Sequence, residues 1–185
     1  PEWREVVVDR ARSNYETFKN HTAILFWSLG NESYAGSNIA AMNKFYKDHD
    51  SSRLTHYERV FHAQEIKKEI SDLESCMYLP PKEAEEYLQN PKKPLVECEY
   101  MHDMGNSDGG MGSYIKLIDK YPQYMGGFIW DFIDQALFVH DPVSGQDVLR
   151  YGGDFDDRHS DYVFSGDGLM FADRTPKPAM QEVRY

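Results

Sequence analysis

No stretch of this sequence is long and apolar enough to cross a bilayer; runs such as Ile24–Trp27 and Phe171–Ala172 stop far short of the ~20 residues a spanning helix needs. Cysteine is scarce. Cys76 and Cys98 are the only two, each inside an apolar, strand-like segment and without Cys-x-x-Cys spacing, so they read as buried free thiols in a reducing, cytoplasmic compartment. No signal peptide is visible. Positive charge is short as well, with 20 Lys and Arg against 31 Asp and Glu and a net charge of -11. Such a chain repels polyanions and has no basic run dense enough to track phosphates, which argues against a nucleic-acid partner. Internal repeats and low-complexity linkers are also missing.

What is present describes a soluble globular chain: 41% hydrophobic, 14% aromatic and 28% charged residues. The 13 Tyr, 10 Phe and 3 Trp mostly pack a core, but so high an aromatic content also suits a sugar site, where a pyranose face lies on a ring. At 185 residues the chain has the length of one domain and falls short of the ~250 residues of a typical (β/α)8 barrel.

Trp3, Val7, Ala11, Tyr15 and Phe18 recur at helical spacing, so the sequence opens inside a helix and reads as cut from something longer. Thr22 to Leu29 is a nearly continuous apolar run broken by Gly30, the pattern of a buried parallel strand. Ile39, Met42, Phe45 and Tyr46 mark a helix that stops near Asp50. Further strands are expected over Leu54–Glu58, Cys76–Leu79, Leu95–Tyr100 and Gly127–Phe132. Helical segments are expected over about Ala63–Ile70, over Lys82–Leu88 behind Pro80-Pro81, and over Tyr114–Lys120 with Ile115 and Ile118 facing inward. Strands alternating with helices imply parallel βαβ units.

Two segments carry a carboxylate at the end of such a run: Ser28-Leu29-Gly30-Asn31-Glu32-Ser33 and Glu97-Cys98-Glu99-Tyr100-Met101-His102-Asp103-Met104-Gly105-Asn106-Ser107. Paired carboxylates are what a retaining glycosidase needs, one ionised to attack the anomeric carbon and one protonated to release the leaving group, about 5–5.5 Å apart. Glu32 and Glu99 are that pair.

These segments, with Gly126–Gln135, Tyr151–Phe155 and Phe171–Ala179 in the same order, resemble the catalytic domain of the beta-galactosidases of glycoside hydrolase family two, large-subunit type. Glu-Tyr-X-His-X-Met-Gly-Asn-Ser is the most specific element. The resemblance implies an α/β fold that is part of a (β/α)8 TIM barrel, about strands four to eight with their helices, the whole of 1–185 being one piece of a barrel domain truncated at its N-terminal side. Barrel enzymes carry their catalytic groups at the C-terminal ends of strands, where Glu32, Tyr78, Glu99 and Trp130 all fall. A partial barrel leaves sheet edges and an inner face uncovered, so it is expected to associate or to receive the missing strands from the rest of the parent enzyme or other subunits.

By the same resemblance Glu99 is the nucleophile, Glu32 the acid/base and Tyr78 the phenol that contacts the nucleophile. Asn31 binds the hydroxyl next to the anomeric carbon, His102 contacts the sugar and Trp130 is the platform under the galactose ring. Magnesium is implied at Glu32, its remaining protein ligands lying upstream of Pro1. Sodium is implied at the Phe164 carbonyl and Asp167, which also reaches substrate; hard cations favour such oxygens. The family commonly has Asn where Asp167 stands, and Ser160 likewise occupies a position of an Asn near the magnesium shell. Asp154, Asp156, Asp157 and Asp161 lack EF-hand spacing and read as a loop of partly solvated carboxylates with Asp154 the more buried; Asp173 and Arg174 read as structural. The activity implied is hydrolysis of terminal beta-D-galactose from lactose-like substrates. Other exo-glycosidases of the family, such as a glucuronidase or mannosidase, and a non-catalytic assembly module are the alternatives.

Overall fold

Val7, Ala11 and Tyr15 line one face of a helix over Arg4–Phe18 (α1), and that face packs on the helix Ser37–His49 (α2). The computed structural model describes residues 2–58, 66 and 70–184. The chain divides into two compact units, residues 1–98 with 118–126 and residues 99–117 with 127–185.

The first unit places α1 and α2 against the strand Phe26–Ser28 (β1), which pairs in parallel with Leu54–His56 (β2) in the register Trp27 opposite Thr55. Trp27, Phe45, Tyr46, Tyr57 and Ile70 form the core with Ala11, Leu29 and Met42. Trp27 stacks on Tyr46, ring centroids 5.3 Å apart, and gives its indole N–H to Asp50 Oδ2 at 2.9 Å. Burial would raise the Asp50 carboxyl, but hydrogen bonds from Ser52, Trp27 and Arg53 outweigh it and hold the acid well below the usual carboxylate range. His56 is buried on β2, bonded at Nδ1 to Ser28 Oγ (2.9 Å) and at Nε2 to Ser75 Oγ (2.7 Å). Burial alone lowers its pKa to about 4. Ser75 lies on the strand Glu74–Met77 (β3), followed by the helix Pro81–Leu88 (α3), where Pro81 starts the helix without losing an intrahelical bond.

A sheet of order β3-β4-β5 is built with Leu95–Tyr100 (β4) and Tyr124–Ile129 (β5), and the helix Met111–Lys120 (α4) links the last two. The second unit contains the end of β4, the start of α4 and the end of β5, then an antiparallel hairpin, Leu137–His140 (β6) and Asp147–Arg150 (β7), and the short helix Met180–Arg184 (α5). Glu182 on α5 accepts from the backbone N–H groups of Gly110 (3.0 Å) and Met111 (2.9 Å), capping α4. Lys177 and Asp134 pair at 2.7 Å.

Several expected elements shift. The strand read over Thr22–Leu29 shortens to β1 because residues before it turn, and the Ile24 carbonyl goes to Arg53 Nε at 3.0 Å rather than to a ladder. The strand Leu54–Glu58 ends at His56. The third strand lies two residues earlier than expected, since Tyr78 is left-handed (φ 53) and cannot continue a pleat. The fifth also starts earlier, its ladder set by Leu95 N–H to Gln123 O at 2.8 Å. In α4 the buried residues are Met111, Tyr114 and Leu117, whereas Ile115 and Ile118 are exposed, contrary to expectation. The edge-on contact of Tyr114 with Tyr100, centroids 5.1 Å apart, fixes that phase. Cys76 and Cys98 are free, as expected, but half-buried rather than buried, with Cys98 Sγ donating to the Cys76 carbonyl at 3.3 Å. The β6–β7 hairpin was not anticipated. Among the described residues the strands fall into three sheets and no closed barrel forms. The helical segment expected over 63–70 lies outside the described residues apart from 66 and 70.

Candidate active site

In the first unit, Gly30 leaves β1 with φ 151 and brings the chain back over β2, its carbonyl accepting from Glu58 N–H at 3.4 Å. Glu32 follows in the left-handed region at φ 49, and its own N–H is held by Glu58 Oε2 at 3.1 Å. Glu58 is almost fully buried, so a sequestered carboxylate anchors the backbone that presents Glu32 to solvent. Asn31 is exposed beside it. The Tyr57 hydroxyl bonds the Ser33 carbonyl, tying the far side of the loop. Tyr78 stands one residue past β3, exposed and again left-handed. Non-glycine residues in this region cost of order 1–3 kcal/mol each and cluster where function requires a particular presentation.

In the second unit, Glu99 is the penultimate residue of β4 and is half-buried. Beyond it Met101 is left-handed (φ 54) and turns His102 back. The Ser107 hydroxyl reaches the His102 carbonyl and closes this loop. Asp103 N–H donates to the Trp130 carbonyl at 2.8 Å, and Trp130 N–H to the Tyr100 carbonyl at 3.2 Å, so the ends of β4 and β5 run together. Trp130 Nε1 donates to Asp167 Oδ2 at 2.8 Å, and the same oxygen lies 3.8 Å from His102 Nε2. The His102 ring tilts against Phe164, centroids 5.4 Å apart. Asp167 has no exposed surface, and its Oδ1 has no hydrogen-bond partner among the described residues. A buried, unfilled carboxylate oxygen is the donor type a monovalent cation takes. The same unit thus gathers His102, Trp130, Phe164 and Asp167.

Other groups here escaped the sequence reading. Asp103, beside His102, is buried, and burial pushes its carboxyl up. Asp108 is raised to about 6, by burial first and then by Asp103 and Glu182. A carboxylate inside the most specific motif was the signal for Asp103; for Glu58 it was an acid closing the Leu54–Glu58 run. Asp154, Asp156, Asp157 and Asp161 are all exposed, Asp154 included, contrary to the expectation that it is the more buried, because its partner is a backbone N–H of the same surface loop. Asp154 accepts from Tyr151 N–H, and Asp157 from those of Gly153 and Phe155. They shape their own loop. Among the described residues no group of three or more His, Cys, Asp or Glu side chains is arranged to hold a metal ion by itself.

The family model for the TIM barrel domain of glycosyl hydrolases family 2 matches residues 1–185. The chain belongs to that family. It is 83% identical over 186 residues to the beta-galactosidase large subunit of Lactobacillus acidophilus and 73% identical to that of Leuconostoc lactis, covering 100% of this chain and 30% of each relative. It is 55% identical to a beta-galactosidase of Halalkalibacterium halodurans, of which it covers 18%. The chain therefore spans about a third or less of the curated relatives it matches. Among solved structures, a beta-glucuronidase from an uncultured Clostridium sp. superposes with a TM-score of 0.65 at 17% identity, covering 98% of this chain and 35% of that one. A family 2 beta-galacturonidase from Eisenbergiella tayi gives a TM-score of 0.66 at 14% identity, covering 100% of this chain and 37% of that one. At such identity these share the fold.

Proposed function

We propose that this chain carries both catalytic carboxylates of a retaining beta-galactosidase, contributing about strands four to eight of its barrel, with the remaining strands supplied by the rest of the parent protein or by other subunits. The supporting observation is the second unit's arrangement: Glu99 at the end of β4, with His102 and Trp130 both gathered on the buried Asp167. In the proposed reaction the Glu99 carboxylate attacks the anomeric carbon of a terminal beta-D-galactose while Glu32 gives its proton to the departing aglycone oxygen. Glu32, now ionised, takes a proton from water as that water attacks the same carbon, and the bond to Glu99 breaks. Two inversions retain the configuration. Tyr78 donates to the nucleophile and helps keep it charged; Asn31 and His102 bind sugar hydroxyls, and Trp130 supports the apolar face of the ring.

Glu32 would hold magnesium together with ligands outside this chain, and Asp167 with the Phe164 carbonyl would hold sodium; bound there, each supplies positive charge that orders substrate and side-chain oxygens. The Asp167 carboxylate in place of an amide adds negative charge to this site. A uronic acid would need a cation beside its carboxylate. The Met101–Asp108 loop offers none, and Lys177 is paired with Asp134, so galactose is favoured over glucuronic or galacturonic acid. No described helix is long and apolar enough to cross a membrane.

The test is to treat the complete protein with a 2-deoxy-2-fluoro-galactoside that traps the covalent intermediate and to locate the added mass by peptide mass spectrometry. A label on Glu99 supports the reading; a label on another residue, or full turnover by the Glu99→Gln protein, removes it.

A further inference from the structure

Glu97 lies in the middle of β4 and has no exposed surface. A carboxylic acid there interrupts the run Leu95-Val96-Glu97-Cys98, and burying it unpaired would be strongly unfavourable. Its contacts are particular. Oε1 accepts from the hydroxyl of Tyr124, itself buried at the start of β5, at 2.8 Å, and the carboxylate also takes the backbone N–H of Leu79. Oε2 is buried without a hydrogen-bond partner among the described residues. Glu97 therefore reaches from the central strand to both neighbours, touching β5 at its first residue and the chain just beyond β3.

Leu79 directly follows Tyr78, which sits at φ 53 with an exposed side chain, and Pro80 follows Leu79. A left-handed, solvent-facing tyrosine holds one orientation only if its surroundings over-determine it. The Leu79 N–H is the first backbone donor after the turn, and Pro80 has none to offer. Whatever fixes that N–H fixes where the turn leaves the sheet.

We propose that Glu97 is a positioning residue for Tyr78, clamping the turn after β3 through the Leu79 N–H while the Tyr124 hydroxyl holds the clamp itself in place. This rests on the reading of Tyr78 as the donor to the nucleophile. Burial raises the Glu97 carboxyl to about 7, so the neutral acid is well populated at neutral pH, and glutamine reproduces its shape and its accepting oxygen.

The test uses the complete protein and an aryl beta-galactoside, with kcat and KM measured for Glu97→Leu, Glu97→Gln, Tyr78→Phe and the double variant Glu97→Leu with Tyr78→Phe. A reactive group displaced by about 1 Å can lose on the order of 100-fold in rate, so Glu97→Leu should lower kcat by roughly 10- to 100-fold with little change in KM, and Glu97→Gln should restore most of it. In the Tyr78→Phe background Glu97→Leu should cost nothing further, because the group it positions has been removed. A general loss of fold would not show that non-additivity. Should Glu97→Leu fail to fold, Glu97→Gln and Tyr124→Phe keep the question open to measurement: Tyr124→Phe should lower kcat in the wild-type background and have no effect beside Tyr78→Phe. Multiplying effects, or an unchanged kcat in both Glu97→Leu and Tyr124→Phe, overturn the assignment of Glu97 while leaving the functional reading intact. An unimpaired Tyr78→Phe removes both this assignment and the role given to Tyr78.

Discussion

Trp130 and Asp167 are joined by one 2.8 Å hydrogen bond from the indole Nε1 to a carboxylate with no exposed surface. The bond orients the ring proposed as the sugar platform. Asn can still accept at that position; Ala cannot. Stranding the partly buried indole N–H costs about 1–3 kcal/mol, so Asp167→Ala should raise KM for an aryl galactoside by roughly 10- to 100-fold, and Asp167→Asn should stay much closer to wild type. Equal KM values for the two variants would show that the carboxylate's charge, rather than its acceptor oxygen, is what matters.

Gly168 follows Asp167 and has no room for a side chain: a Cβ there would lie 2.3 Å from both the Asp134 nitrogen and the Ile133 carbonyl carbon. These are backbone atoms that cannot swing away. Gly168→Ala is expected to push the 164–169 segment off residues 131–134, with an overpacking cost of about 1–3 kcal/mol or more. The complete protein should show a lower Tm together with a raised KM. An unchanged Tm would mean the segment has slack not evident in its contacts.

Glu32 is proposed to protonate the leaving oxygen, so its value should depend on how much help that oxygen needs. With a dinitrophenyl galactoside, whose leaving group departs unprotonated, Glu32→Gln should still form the galactosyl-enzyme readily and then stall, since the water has lost its base. With lactose both steps should fail, leaving kcat/KM lower by several orders of magnitude. Added azide should speed release from the stalled variant. If the loss proved the same for both substrates, Glu32 would not be the acid.

Glu32 and Glu99, whose catalytic roles are proposed, were legible as candidate carboxylates because they interrupt or end apolar runs inside the segments that carry the family resemblance. Glu97, Glu58 and His56 were not, since a polar residue inside a strand shows no sign of its partners, and those partners come from distant sequence: Tyr124 for Glu97, Ser28 and Ser75 for His56. The helix Met111–Lys120 was visible as a helix but misphased. Ile115 and Ile118 outrank Tyr114 in hydrophobicity, yet the ring contact with Tyr100 decides which face turns inward. The hairpin Leu137–Arg150 was signalled only by Pro142 to Gly145, between two short runs of which the first is mostly exposed and the second half-buried on one face only. The third strand's boundary moved for a local reason, because Tyr78 is left-handed although it is not glycine.

His56 and Glu97 set opposing pH dependences within the first unit. The His56 pKa falls from 6.5 to about 4, so between those values the unfolded chain binds a proton that the native one refuses, and stability is lost as pH falls from about 6.5 towards 4. The Glu97 pKa rises from 4.5 to about 7. There the native chain holds a proton that the unfolded one has released, so stability is lost as pH rises from about 4.5 towards 7. Each shift corresponds to roughly 3 kcal/mol. Between pH 4.5 and 6.5 the two slopes oppose each other and nearly cancel. Glu97→Gln removes one of them, so the Tm of the complete protein should climb more steeply with pH over this range than in wild type, and the variant should gain most at pH 7 and above. His56→Asn should reverse the tilt, falling with rising pH. Parallel Tm profiles for wild type and Glu97→Gln would mean that Glu97 titrates in the native protein much as it does in the unfolded chain.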